Sequence, residues 1–492
     1  MSNKKDNTPF LPGFQAFFKG RPNISKNELT KRALVKIQQS SIQEFRQLFS
    51  GYIPCQLFSL NYGKHFSRSR IYNLEVIFWA FLSQILLKNT SCSEIVKKVQ
   101  TWRIDRKLPT QSSGTGAYCK AKKKLSLSFL KTVFKNTVKV LSVKEKHSDL
   151  WCGRVVKVVD GTGLSMPDTK ENQKVYPQNG SIKPGCGFPQ LNMVAVFSLA
   201  TGSILGYAKG NKHSSESRLW QKLFGLLKKE DIVLGDRGYL SFMNIAYLSS
   251  KKIDSVIRWK DRIKRIKKYK KLGENDYIYL WKKPVSRSLL WSKEIFFNMP
   301  DEIYIRIVEI SVNKNGFRTR KMKIVTTLLD HERYSAEDIG KLYFKRWIVE
   351  LRLKDIKTTM GMDILKAKTP RQVEKEIAMF TIAYNLIRGI MLDAARHCSK
   401  EIDRISFSDT LNQLKQWMTL FAKTTSGFRT LLFDFYQCIC QKTITKRPGR
   451  NEPRVKKRRA KNFHLMTKPR REMIIDCHRN RPDKKNAFYA LK

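Results

Sequence analysis

Tyr343, Arg346, Glu350 and Lys357 follow one another at offsets of 3, 4 and 7 residues in the stretch LYFKRWIVELRLKDIK, 342–357. At about 3.6 residues per turn, all four side chains would share one face of a helix. That face offers a carboxylate, two cations and a phenol. The set suits a divalent ion held against a phosphodiester, with cations on the flanking phosphates. Ser335 is placed to cap the helix, with Asp338 three residues on, much as in a capping box. Gly361 is a natural stop. The same residues are also ordinary for a helix surface, and Arg346 with Glu350 reads equally as a simple i,i+4 ion pair.

Two aspartates extend the pattern. The β-rich run RVVKVV, 154–159, ends in Asp160-Gly161-Thr162, and a second short strand, 231–234, runs into Gly235-Asp236-Arg237-Gly238-Tyr239. Asp-Gly is also a common turn dipeptide. If the strands are neighbours, their terminal carboxylates and Glu350 from an adjacent helix can converge at one edge of a sheet. Three carboxylates at one place repel each other unless a cation sits among them. Mg²⁺ takes oxygen ligands and keeps waters or substrate phosphates in its shell. Two such ions, about 4 Å apart, would activate an attacking oxygen and stabilise a leaving one.

The composition points the same way. Lys and Arg number 96 against 41 Asp and Glu, a formal net charge of +55. Charge of this size concerns partners rather than fold, and nucleic acid is the commonest polyanionic partner. A membrane surface would call for a basic amphipathic helix or a lipid-anchor motif, and no anchor motif occurs. The most apolar run, LEVIFWAFLSQILL at 74–87, is 14 residues long and carries Glu75 and Gln84. A span needs about 20 residues, so this run reads as a buried helix. The N-terminus lacks the apolar core of a signal peptide. Nine scattered cysteines without a CxxC pair argue against a zinc site and for reduced thiols in the cytoplasm.

The texture of the chain divides it. Residues 1–150 read as helical, with apolar positions at helical spacing in 25–49, 70–87, 93–102 and 127–141. The basic stretch GAYCKAKKKLS, 116–126, is either the lip of a DNA-binding module or a solvated basic helix. From about 151 the order reads as three strands, helix, strand, helix, strand, a mixed α/β layer. In it, 191–199 and 203–208 form a hairpin through Thr201-Gly202. Segment 258–271 carries nine cations and one acid. The alternating segments 277–281, 289–297 and 303–311 then suggest a small β insertion, and 324–328 returns to the main sheet. Residues 373–440 are again helical. Segment 446–471 holds twelve cations and one acid, including Lys456-Lys457-Arg458-Arg459. It reads as an extended arm, either solubilising or clamped on phosphates.

Asp160-Gly161-Thr162, Asp236-Arg237-Gly238-Tyr239 and Tyr343-x2-Arg346-x3-Glu350-x6-Lys357 together resemble the signature of bacterial DDE-type insertion-sequence transposases. The subgroup is that of insertion sequence four, with its Y-R-E-K helix. The stretch 116–126 and the basic tail are also similar to this subgroup, so the resemblance spans about 110–470. It implies an α/β, RNase H-like catalytic domain at 151–372 with a β-rich insertion at 259–321. A helical N-terminal DNA-binding domain (1–150) would precede it, and C-terminal helices (373–445) and a basic tail (446–492) would follow. It implies cut-and-paste transposition: hydrolysis at the 3′ ends of the element, release through a hairpin intermediate, and attack of the freed 3′-OH on target DNA. Asp160, Asp236 and Glu350 would be the metal ligands, for Mg²⁺ with Mn²⁺ as a substitute. Tyr343, Arg346 and Lys357 would grip phosphates, with Arg237 a further DNA-binding residue. The partners implied are double-stranded DNA, as terminal inverted repeats and target, and a second copy in a synaptic homodimer. The setting implied is the bacterial cytoplasm, at the nucleoid. Relatives place an insertion-domain Trp on a flipped base, for which Trp259, Trp281 and Trp291 are candidates, although core packing is the commoner fate of a Trp. The competing readings are an RNase H-like nuclease that does not transpose and a non-catalytic DNA-binding protein.

Overall fold

A computed structural model describes residues 46–59, 66, 71–105, 107–260, 264–312, 320–423, 427–444 and 466–479. The expected helix at 25–49 lies mostly outside the described residues. So do part of the basic approach loop (261–263) and the tail from 446 to 465 with its Lys456-Lys457-Arg458-Arg459 run.

Among the described residues, a single helical turn (Gln56–Ser59) is followed by four longer helices: α1 (Leu74–Leu86), α2 (Cys92–Asp105), α3 (Gly116–Lys124) and α4 (Leu127–Val143). Small polar residues start two of them. Asn73 Oδ1 accepts from the Val76 amide at 2.9 Å, and Ser126 caps α4. In α4 the buried residues Phe129, Leu130, Val133, Phe134, Thr137 and Leu141 recur at helical spacing. Most of segment 116–126 is helix α3, with Tyr118 and Ala121 buried, Lys120, Lys123 and Lys124 exposed, and Lys122 half-buried over the Phe81 ring.

The sheet follows: β1 (Val156–Ser165), α5 (Lys170–Val175), β2 (Gln190–Ser198), β3 (Ile204–Gly210), α6 (Glu216–Gln221), β4 (Ile232–Gly235), α7 (Phe242–Ser250) and β5 (Asp254–Arg258). The insertion adds β6 (Ile266–Gly273), β7 (Asp276–Lys282), α8 (Lys293–Asn298), β8 (Glu302–Val312) and β9 (Arg320–Thr326). All nine strands form one sheet in the order β3-β2-β1-β4-β5-β9-β8-β7-β6. β1, β4 and β5 are parallel to each other and the other pairings are antiparallel. Strands β6 to β9 therefore prolong the sheet edge to edge, with β9 paired to β5. The hairpin at Thr201-Gly202 is present. Gly202 has φ +71°, and the Arg388 guanidinium lies where a side chain would be.

Two expectations about this region need correction. Segment 289–297 is not a strand. Ser292 Oγ accepts from the Ile295 amide at 3.2 Å and starts α8, which turns Phe296 inward and leaves Phe297 exposed. β1 does not end at Asp160 either: its antiparallel pairing with β2 carries it on to Ser165.

The chain closes with α9 (Ala336–Phe344), α10 (Trp347–Lys354), a π-helical turn (Asp355–Thr359), α11 (Pro370–His397), α12 (Phe407–Lys423), α13 (Phe428–Gln441) and α14 (Arg470–Arg479). Alternate strand residues feed two cores. Val158, Leu234 and Val256 pack with α1, α4 and α11 on one face, whereas Val159, Val233 and Ile257 pack with α6 and α7 on the other. Helix α11 is also long and apolar enough to cross a membrane, but 94% of its most apolar window is buried inside the protein. It is the central helix of the first core.

A buried ion pair fixes the insertion to the segment that leads into α9. Arg306, on β8, is fully buried. It donates to both oxygens of Asp276 (2.8 and 2.5 Å) and to the carbonyls of Leu328 (3.3 Å) and Tyr334 (2.7 Å). Replacing Asp276 by Ala strands a buried guanidinium and should cost about 3–5 kcal/mol. Urea unfolding of the two proteins checks this, with a midpoint shifted clearly downward as the expected result.

Candidate metal and DNA site

The parallel register between β1 and β4 places the two aspartates. Val156, Lys157 and Val158 stand beside Ile232, Val233 and Leu234. Carried two residues past its last pair, that register brings Asp160 level with Asp236, one residue beyond the end of β4. Asp160 has the parity of Val158 and lies toward the face covered by α10, and Asp236 is near enough to Tyr343 and Arg346 to act on their charge. β4 ends at Gly235, and Asp236 starts a short 3₁₀ turn, Arg237–Tyr239. β1 has already lost its β4 partner at this point, which opens the sheet beside Asp160.

The Y-R-E-K residues are not on one unbroken helix. The cap is as expected, with the Asp338 amide donating to Ser335 Oγ at 3.1 Å. After Phe344, however, the amides of Lys345, Arg346, Ile348 and Val349 all make i→i−3 bonds, which tighten the chain between α9 and α10. A π turn follows, closed by the Met360 amide on the Asp355 carbonyl at 3.0 Å, and Gly361 ends it at φ +91°. Simple heptad-like spacing does not anticipate either break. The result is that Tyr343, Arg346 and Glu350 group together, while Lys357 sits half-buried in the π turn. Arg237 is exposed at the end of β4.

Arg346 is the local hub. It is buried, and its Nη2 donates to Glu350 Oε1 at 3.1 Å. Its guanidinium carbon lies 5.8 Å from the centre of the Tyr343 ring. Burial opposes its charge, but Tyr343, Glu350 and Asp236 outweigh that and raise its pKa. Burial pushes the Tyr343 phenol up to about 12, against the pull of Arg346. Burial also pushes Asp160 up to about 6. The Gly161 amide (2.9 Å) and Arg346 oppose the rise, and the charges of Glu350 and Glu216 add to it. The Tyr343 hydroxyl and Arg346 Nε are buried with no hydrogen-bond partner among the described residues.

Glu350 itself is exposed, with 56% of its side chain accessible. Its helix is held by Arg352, a buried residue that the sequence reading missed. Arg352 donates to the carbonyls of Ser198 (2.8 Å) and Leu199 (2.9 Å) at the end of β2. A cation within an apolar stretch was its only signal. Two other missed residues are Glu216, which opens α6, and Tyr239. Trp281 and Trp291 are buried core residues and Trp259 is half-buried against the same core.

All four acidic side chains here offer oxygen, the donor that hard divalent ions take. Among the described residues no group of three or more His, Cys, Asp or Glu side chains is drawn together tightly enough to hold a metal ion. Asp160 and Glu350 are near enough to feel each other's charge, and Glu350 rests on Arg346.

The raised pKa of Asp160 has a consequence for the metal-free protein. Its charged form is disfavoured by folding, so its contribution is fully present below about pH 4 and is lost as pH rises through about 6. Asp160→Asn should therefore stabilise the metal-free protein by roughly 1–2 kcal/mol at pH 8 and leave it unchanged near pH 4. Thermal unfolding in a chelator across that range is the check.

Comparison with known proteins bears on the same residues. The family model for the transposase DDE domain matches residues 151–386. The chain is 26% identical over 408 residues to the transposase InsG for insertion sequence element IS4 of Escherichia coli K12, covering 80% of this chain and 87% of that protein. A shorter match, 34% identical over 70 residues, is to the transposase for insertion sequence element IS421 of Escherichia coli, covering 14% of this chain and 18% of that one. Among solved structures, the piggyBac transposase synaptic complex with hairpin DNA aligns over 85% of this chain and 88% of that one, at 7% identity and a TM-score of 0.42.

Proposed function

We propose a course of reaction for a chain that belongs to the DDE transposases of the insertion sequence four family. The sheet order β3-β2-β1-β4-β5, with β1 to β3 antiparallel and β4 and β5 parallel to β1, reads as an RNase H-like core. Asp160, Asp236 and Glu350 are its metal ligands. The observation that supports this most is the register of β1 on β4, which brings Asp160, on the face covered by the helix of Glu350, level with Asp236.

Two divalent cations, Mg²⁺ with Mn²⁺ as a substitute, would make an attacking oxygen more nucleophilic and stabilise the leaving one. Arg346 donates to the Glu350 carboxylate at 3.1 Å. Once Glu350 turns to the aspartates, Arg346 is free to pair with a phosphate, for which its planar fork is suited. The buried Tyr343 hydroxyl, without a partner among the described residues, can donate to the same phosphate. Arg237 and Lys357 serve flanking phosphates. In the first step a water oxygen bonds to phosphorus and the 3′ oxygen of the element leaves. In the second that 3′-OH attacks a target phosphate, and one phosphodiester replaces another. The hairpin route and the synaptic homodimer belong to this reading. So do the division at 150, 372 and 445 and a cytoplasmic site of action at the nucleoid. Of the three tryptophans considered, Trp259 is the one left outside the buried set and is the candidate for stacking on a base.

The test is cleavage of plasmid DNA carrying the gene's own flanking repeats, with Mg²⁺ present. Wild type should cut at the repeat boundary, and Glu350→Gln should lose cutting by at least about 10³-fold (~4 kcal/mol) while binding the repeats nearly as well. If DNA binding falls together with cleavage, Glu350 is a structural residue and the assignment is wrong. Arg346→Ala should weaken binding and flatten the slope of log K against log salt by about one unit, as read by fluorescence anisotropy at several salt concentrations.

A further inference from the structure

Glu216 lies beside this site. It is the first residue of α6, which Ser215 caps by accepting from the Arg218 amide at 3.3 Å. Leu219 and Trp220 of the same helix are buried, and Trp220 packs edge-on against Tyr239 at 6.0 Å. The helix is thereby fixed against the turn that follows Asp236.

Its carboxylate packs against the segment of Asp160 and lies near that of Asp236. A Cβ placed on Gly161 would meet Glu216 Oε1 at 2.5 Å, and one placed on Gly238 would lie 4.0 Å from Oε2. Gly161 directly follows Asp160, and Gly238 is two residues after Asp236. The missing side chain at Gly161 leaves a notch, and the carboxylate occupies it. Among the described residues Glu216 has no salt-bridge or hydrogen-bond partner for its carboxylate, in a chain of net charge +55. A second observation marks the place as a ligand site. The Tyr239 hydroxyl is buried, has no hydrogen-bond partner among the described residues, and has Glu216, Asp160 and Asp236 as its charged neighbours. A donor aimed among three carboxylates, without bonding any of them, suits a space that a hydrated cation fills.

We propose that Glu216 is a fourth carboxylate of the metal site, supplying an oxygen, directly or through a water, to the divalent cation held by Asp160 and Asp236. The inference rests on the preceding assignment of those aspartates. Like charge held near two other carboxylates is unfavourable without a cation and favourable with one. Glu216 is exposed and reorients at little cost, whereas Asp160 is fixed in a strand.

Mn²⁺ binding to the full chain, followed by calorimetry without DNA, tests this. Wild type, Glu216→Gln, Glu216→Ala and Asp160→Asn are compared, together with thermal unfolding in chelator. Both Glu216 variants should bind Mn²⁺ roughly tenfold or more weakly, yet unfold in chelator at the wild-type temperature or above it. A purely structural Glu216 would lower the unfolding temperature in chelator instead, which overturns the proposal. Mn²⁺ isotherms of the Glu216 variants that superimpose on wild type also overturn it. If Asp160→Asn then weakens binding, only the role of Glu216 fails. If it does not, the assignment of the aspartates fails as well.

Discussion

The parallel pairing of β1 with β4 is the constraint from which the site follows. Three register pairs, Val156 with Ile232 through Val158 with Leu234, determine where both aspartates stand. Because side chains alternate along a strand, a slip of one residue would send one carboxylate to the opposite face. Apolar residues on both faces prevent that slip, since Val158 and Leu234 serve one core and Val159 and Val233 the other. β1 is also the only one of the pair to continue, and its longer ladder with β2 keeps Asp160 in a strand where β4 has already turned away. Negative charge is thus held on rigid backbone at an opened edge of the sheet.

Buried arginines do much of the remaining positioning. Arg352 ties α10 to the end of β2, Arg388 of α11 donates to the Thr201 carbonyl at 2.9 Å, and Arg306 ties β8 to the approach to α9. Each satisfies backbone carbonyls that the ends of strands and helices leave over. A guanidinium suits this use, having several donors in a fixed plane. Some lysines do the same, while Lys120, Lys123 and Lys124 of α3 are exposed. The N-terminal helices are also fastened to the site region, through Lys88 Nζ on the Thr358 carbonyl at 2.5 Å and Lys375 Nζ on the Lys123 carbonyl at 2.7 Å. DNA held by those helices would sit in a set relation to the π turn.

Much of this was legible in the sequence where local rules dominate. The order of the strands from 151 to 258, the hairpin at Gly202, the Ser335 cap and the Gly361 stop follow from periodicity, turn chemistry and capping, whereas the short helix α5 between β1 and β2 was not expected. Spacing alone failed where hydrogen-bond type changes. The i→i−3 bonds at 345–349 and the π turn at 355–359 depend on what α10 packs against, which no window of sequence contains. The strand through Asp160 was cut short because Asp-Gly resembles a turn, and its pairing with β2 is a long-range fact. Glu216 escaped notice because its proximity to Asp160 depends on the absence of a side chain at Gly161, 55 positions away. Arg346 and Glu350 satisfy both readings allowed at the outset. They form an i,i+4 pair, and that pair stands beside two aspartates.

Asp160, Asp236 and Glu350 are proposed to share one metal site, although the Glu350 carboxylate accepts from Arg346. Fe²⁺ put in place of Mg²⁺, with ascorbate and peroxide, generates radicals that cut the polypeptide beside the bound ion. Mapping the fragments is the most direct measurement. Cuts should cluster around residues 160, 236 and 350 together, all suppressed by excess Mg²⁺ and all lost in Asp160→Asn. Cuts that omit the segment around 350, or that persist in Asp160→Asn, would contradict this assignment.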